Sequence, residues 1–109
     1  MNVRFSDGEI RFRVTMPEFD RLNKGEYLQL ETIPLTFVVQ MARKPVEQAM
    51  VIDLSCGAVH LVISPEEVEA LQTRLPSKEG IEKHLSLGMG KSIDVAFEVD
   101  VKTNERRHP

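Results

Sequence analysis

The chain carries one stretch twice. Shifted by 49 residues, segment 3–22 (VRFSDGEIRFRVTMPEFDRL) lies over segment 52–71 (IDLSCGAVHLVISPEEVEAL) without a gap. Ser6, Gly8, Glu18 and Leu22 meet the identical Ser55, Gly57, Glu67 and Leu71. The apolar Phe5, Ile10, Phe12, Val14 and Phe19 meet Leu54, Val59, Leu61, Ile63 and Val68. A self-match with the same turn, the same alternation and the same helix start restricts the fold to two copies of one supersecondary unit.

The unit can be read residue by residue. Val3 and Phe5, then Ile10, Phe12 and Val14, alternate with Arg4, Arg11 and Arg13, the period of a half-buried strand pair. Asp7-Gly8 between them predicts a type I′ hairpin turn, in which both central residues take positive φ. Thr15 followed by Glu18 predicts a capping box at the start of a short helix with Phe19 and Leu22 on its apolar face and Gly25 as its stop. Leu28 and Leu30 then mark a third strand, and Leu35, Phe37, Val39 and Met41 a fourth. Segment 43–48 (RKPVEQ) is the linker. In the second copy Ile52 and Leu54 pair with Val59, Leu61 and Ile63 across Cys56-Gly57, and Ser64 to Glu67 repeats the capping box with Pro65 at the first helical position. Val68, Leu71 and Leu75 form the helix face, and Pro76 ends it. Leu85 and Leu87 match the third strand, and Ile93, Val95, Phe97, Val99 and Val101 form a long last one, with Asp94, Glu98 and Asp100 on its other side.

The expected fold class is α+β: an antiparallel sheet or partly closed barrel from a duplicated ββαββ unit with two short helices. One domain spans residues 1–102, with repeat one at 3–42 and repeat two at 51–102, and residues 103–109 form a disordered polar tail. Neither half can bury its sheet face and its helix stripe alone, so the two share one core. The last strand sits at the centre of a sheet or, at an edge, offers a homodimer surface.

Composition narrows the function classes. A net charge of -3 argues against broad nucleic-acid binding, which favours a basic domain. A single cysteine excludes an internal disulfide and a multi-cysteine zinc site, and fits a cytoplasmic protein. No apolar run approaches the roughly 20 residues of a membrane span, and the first residues lack the apolar stretch of a signal peptide.

The first candidate site is an arginine face. In the first hairpin Arg4 stands opposite Arg11, with Arg13 two residues along on the same side. Like charges across a strand pair are unfavourable, so they call for compensation. One source is the acidic side of the last strand, Asp94, Glu98 and Asp100, if it lies alongside. The other is an anionic ligand or a protein partner, because guanidinium forks suit phosphate and carboxylate. The second copy has Asp53, His60 and Val62 at these positions, so the face is not a requirement of the fold.

Other motifs carry less. Gly90-Lys91-Ser92 resembles the end of a phosphate-binding loop, but the glycine needed five residues earlier is Leu85 and a strand pattern follows, so a β-turn is expected. Segment 53–58 (DLSCGA) resembles the D-x-S-x-x-G element of PilZ domains, which bind a cyclic dinucleotide. That resemblance implies Asp53 and Ser55, with Arg43, as ligand contacts. The chain departs from the pattern at Ala58 and at Glu47, where a second arginine belongs. His60, His84 and His108 share no metal-ligand spacing, and Cys56 has no evident activating base. Glu66, Glu67 and Glu69 suit the positive end of a helix dipole. No catalytic constellation, metal set or cofactor motif stands out, which points to a non-enzymatic binding or protein-interaction module.

The opening RFSDGEIRFRVTMP, the strand near LTFVVQM, the hairpin ending AVHLVISP and the final SIDVAFEVDV together resemble a family of small uncharacterised bacterial proteins, a domain of unknown function. The chain ends in Glu98-Val99-Asp100-Val101, where that family typically has an E-K-D-F-like segment. The resemblance implies a fold and carries no activity.

Overall fold

The computed structural model describes residues 1–43, 47–55, 57–75 and 80–100. Eight strands and two helices follow one another: β1 (Asn2–Ser6), β2 (Glu9–Thr15), α1 (Met16–Asn23), β3 (Leu28–Glu31), β4 (Thr36–Met41), β5 (Met50–Ser55), β6 (Ala58–Ile63), α2 (Pro65–Arg74), β7 (Ile81–Gly88) and β8 (Lys91–Asp100). The expected α+β class and the element order hold. Cys56, Pro76, Val101, most of the linker's RKPV segment (residues 44–46) and the tail lie outside the described residues.

The strands form two four-stranded sheets, ordered β1-β2-β8-β7 and β3-β4-β6-β5. Each hairpin is antiparallel, but the seam between hairpins is parallel, β2 with β8 and β4 with β6. The sheets are therefore mixed rather than antiparallel throughout, and they do not close into a barrel. The two halves exchange hairpins: each sheet takes one from residues 2–41 and one from residues 50–100. Replacing β1, β2, β7 and β8 by β5, β6, β3 and β4 turns one sheet order into the other, which fits a duplicated unit. The ladders set the equivalences. Ile10 pairs with Val95 as Val59 pairs with Phe37, and Phe12 with Phe97 as Leu61 with Val39. The buried counterpart of Leu28 is thus Ile81, which pairs with Phe97 as Leu28 does with Val39, and not Leu85.

Alternation decides what enters the core. Ile10, Phe12, Val14, Val95, Phe97 and Val99 turn inward from one sheet, and Phe37, Val39, Leu61 and Ile63 from the other, all buried. Fully burying such a side chain is worth roughly 1.5–3 kcal/mol. Phe12 meets Phe37 edge-on at 6.3 Å between ring centroids, and Phe5 meets Phe37 at 5.5 Å. Phe5 neighbours the first turn and Phe37 stands at the start of β4, so the turns of both sheets lie at one end of the molecule. The helices lie at the other, where they lead from one sheet to the next.

The helix starts are built as expected, with one difference. Thr15 Oγ1 accepts from the Glu18 N–H at 3.3 Å, and Glu18 Oε1 accepts from the Thr15 N–H at 2.9 Å, a complete capping box. Phe19 and Leu22 are buried, and Gly25 takes φ +93° just past the end. In α2 Ser64 Oγ accepts from the Glu67 N–H at 3.2 Å, but the Ser64 N–H goes to the Ala49 carbonyl at 2.9 Å. A backbone carbonyl has taken the carboxylate's place.

The turns also differ from expectation. At Asp7-Gly8 only Gly8 has positive φ, +76°, so the turn is not type I′. The type I′ signs appear instead at Met89 (φ +54°) and Gly90 (φ +73°), between β7 and β8. Segment 88–92 is therefore a hairpin turn leading into a strand, as the absent phosphate-loop glycine implied.

Candidate functional site

The arginine face lies on the outer side of the β1-β2-β8-β7 sheet, because Arg4, Arg11 and Arg13 alternate with the inward Val3, Ile10, Phe12 and Val14. The ladders place three rungs there. One reads Arg4, Arg11, Ala96, Glu82; the next, toward the helices, Asn2, Arg13, Glu98; the third, toward the turns, Ser6, Glu9, Asp94, His84.

Carboxylates meet two of the three arginines. Arg11 Nη1 donates to Glu98 Oε2 at 3.2 Å, Nη2 to Glu82 Oε1 at 3.3 Å and Nε to Glu9 Oε1 at 3.5 Å. The bond to Glu82 crosses over Ala96, whose small side chain is only 3 % exposed. Arg13 Nε lies 3.8 Å from the other Glu98 oxygen, and its Nη2 lies 4.0 Å from Asp100 Oδ1. Hydrogen bonding and charge from Glu9 hold the Arg11 guanidinium above its ordinary value; burial opposes this and Glu98 and Glu82 add to it. Arg4 is exposed and makes no ion pair among the described residues. Of Asp94, Glu98 and Asp100, which the sequence offered as partners, Glu98 and Asp100 meet the arginines, whereas Asp94 stands against His84. The sequence did not identify Glu9 or Glu82, although the alternation of Glu82, His84 and Ser86 was a usable signal for their shared face.

Toward the turns, a cleft of about 290 Å³ is lined by Glu9, Glu82, His84 and Asp94 among others. His84 Nδ1 and Asp94 Oδ1 stand 2.6 Å apart, both well exposed. A second cleft of about 480 Å³ lies by Glu18, Arg21 and Tyr27. Neither is lined by Arg13 or His60. Among the described residues no three His, Cys, Asp or Glu side chains stand where they could hold a metal ion.

Of the residues implied by the PilZ resemblance, Asp53 and Ser55 lie two residues apart on β5, and Arg43 lies beyond the end of β4. Asp53 stands opposite His60, which neighbours Val38. Arg43 lies two residues past Met41, which shares a rung with Ile63 and Met50, three residues before Asp53. Ser55 ends β5, beside the turn. The rung equivalent to Arg4, Arg11, Ala96, Glu82 reads Asp53, His60, Val38, Gln29. The two similar sheets thus differ: one carries an ionic outer face and the other a mostly uncharged one.

Large hydrophobes are exposed on and beside the turns. Phe5 and its repeat equivalent Leu54 are 62 % and 66 % exposed. Ile33, between β3 and β4, and Met89, between β7 and β8, are 100 % and 99 % exposed, and Leu35 and Leu87 stand beside them. Sequence alternation assigned Phe5, Leu35, Leu54 and Leu87 to strands facing the core. It could not show that the core thins toward the turns.

The fold and this site define a small two-sheet α+β domain with exchanged hairpins, a charge-paired outer face and an apolar turn end. The chain belongs to a family of unknown function (DUF7009), which it matches over residues 1–108. No curated protein and no solved structure matches it. No helix among the described residues is long and apolar enough to cross a membrane.

Proposed function

We propose that this chain is a non-enzymatic protein-interaction module of the cytoplasm that meets a protein partner through its turn end. The observation that carries this reading is the set of exposed hydrophobes there: Phe5, Ile33, Leu35, Leu54, Leu87 and Met89. Exposed apolar side chains gathered at one end are a common feature of protein contact surfaces. The charge pairing of Arg11 and Arg13 favours a protein over a small anion, because an anion would compete with Glu9, Glu82, Glu98 and Asp100 for the same N–H groups.

The test compares the wild-type chain with an Ile33→Ser, Met89→Asn double variant. Asparagine tolerates the left-handed backbone at Met89. Both sites are fully exposed, so the melting temperature stays within about 2 °C. A protein retained by the wild type, then purified and titrated by calorimetry, binds the variant at least tenfold more weakly. Equal affinity overturns the proposal. So do amide shifts that cluster on Arg4, Arg11 and Arg13, or on Asp53, when phosphate or a cyclic dinucleotide is added.

A further inference from the structure

We propose that the surface joining the two halves of this chain also accepts the opposite half of a second copy, so that two chains assemble by exchanging halves. Neither half holds a complete sheet. Residues 2–41 supply β1 and β2 to one sheet and β3 and β4 to the other; residues 50–100 supply the remaining two strands of each. The two parallel seams join one half to the other, β2 with β8 and β4 with β6. The core is divided in the same way: Phe12 stands beside Phe97, and Val39 beside Leu61. Arg11 and Arg13 reach Glu82, Glu98 and Asp100 across the same boundary. The side chains at this boundary are apolar inside and charge-matched outside, so each half is a specific template for the other.

The covalent link between halves runs only from Met41 to Met50. In one chain those two residues occupy a single rung, on either side of Ile63, so the ends are roughly 10 Å apart at about 4.8 Å per strand. Rerouting that one link to a second chain keeps every strand pairing, every core contact between halves and every ion pair across the seam. Domain swapping of this kind exchanges identical elements between protomers and creates little new interface. The partner is a second copy of this chain, and the surface is the one already built inside the monomer. The exposed turn end takes no part.

Two full-length variants test it. Phe12→Asp places a charge in the first half, and Phe97→Asp places one in the second; both sites are 0 % exposed. Refolded together from denaturant, they form a species of twice the 12.4 kDa chain mass. One of its two domains joins the intact first half of one chain to the intact second half of the other. The mixture recovers about half of the wild-type dispersion of amide signals. The same two proteins refolded apart and then mixed do not. A co-refolded mixture whose spectrum is the sum of the two separate spectra overturns the proposal, as does a dimer that forms equally well on mixing the separately refolded chains, which would signal a surface contact.

Discussion

Asn23 donates its side-chain amide N–H to the side-chain carbonyl of Gln72 at 2.8 Å, and these residues are 49 positions apart, the repeat offset itself. Positions matched by the self-alignment's offset thus touch each other, an arrangement that fits a duplicated unit with a twofold axis. The bond is exposed, so its worth is small. Asn23→Ala and Gln72→Ala should each lower stability by about 0.5–1 kcal/mol in urea titrations, with the double variant losing no more than either single one. Additive losses would mean that the two amides do not act as a pair.

Arg11 holds three carboxylates, of which only Glu98 also meets a second cation, Arg13, among the described residues. Arg11→Ala leaves Glu9, Glu82 and Glu98 facing one another, and should cost up to about 1 kcal/mol at low salt, shrinking as salt screens the repulsion. Arg4→Ala, at an exposed site with no ion pair among the described residues, should cost nothing measurable. Chemical denaturation at two ionic strengths separates them. If the Arg4 and Arg11 variants behave alike, the network contributes nothing to stability.

Glu18 should make the fold acid-sensitive. Burial pushes its carboxyl upward, but the Met1 ammonium at 2.7 Å, the Thr15 N–H and the Thr15 hydroxyl together hold it below the ordinary value. The unfolded chain then binds a proton more readily than the folded one. The stabilisation is present above the usual glutamate value of about 4.3 and is lost as pH falls through the lowered folded value. Glu18→Gln should flatten the pH dependence of stability in that range while lowering stability at pH 7. An unchanged acid profile would remove Glu18 from the account.

Gly80 lies immediately before β7 and alongside β8, and a Cβ there would collide with the Phe97 carbonyl oxygen and stand 2.9 Å from Glu98 Cα. Both are backbone atoms and cannot rotate away. Gly80→Ala should therefore cost about 1–3 kcal/mol and disturb the Glu98 ion pairs, seen as amide shifts at Arg11 and Arg13. Gly8→Ala meets nothing within 4 Å and is strained only by its φ of +76°. A Gly80 variant as stable as the wild type would refute the close approach.

Local signals in the sequence were legible because their chemistry is local. The Thr15 and Ser64 N-caps, the alternation of Ile10, Phe12 and Val14, and the positive φ of Gly8 act within a few residues and stand in the structure, whereas the type I′ turn at Asp7-Gly8 and the Glu67 half of the second capping box do not. The exchange of hairpins was not legible. Alternation says which side chains share a face, but not which strand lies beside Ile10, and the answer, Val95, is set by packing of the whole core. The same limit governed the arginine face. Its charges were plain, and Glu98 and Asp100 followed once β8 was a neighbour, but Glu82 required knowing that β7 lies beyond β8. The missed exposure of Phe5 and Leu54 came from reading a strand's inward side as buried along its whole length.

The parallel seam also sets a timetable for the chain. Arg11 and Glu98 are 87 residues apart, and β8 is the last strand made among the described residues. During synthesis β2 must wait for its neighbour until nearly the whole chain has emerged, with Phe12 and Val14 unshielded meanwhile. Such long-range pairing folds slowly and leaves strand edges open to the wrong partner. A ribosome that stalls before β8 leaves a chain in which β3, β4, β5 and β6 are all present to form their sheet, while the β1-β2 hairpin has no second hairpin beside it.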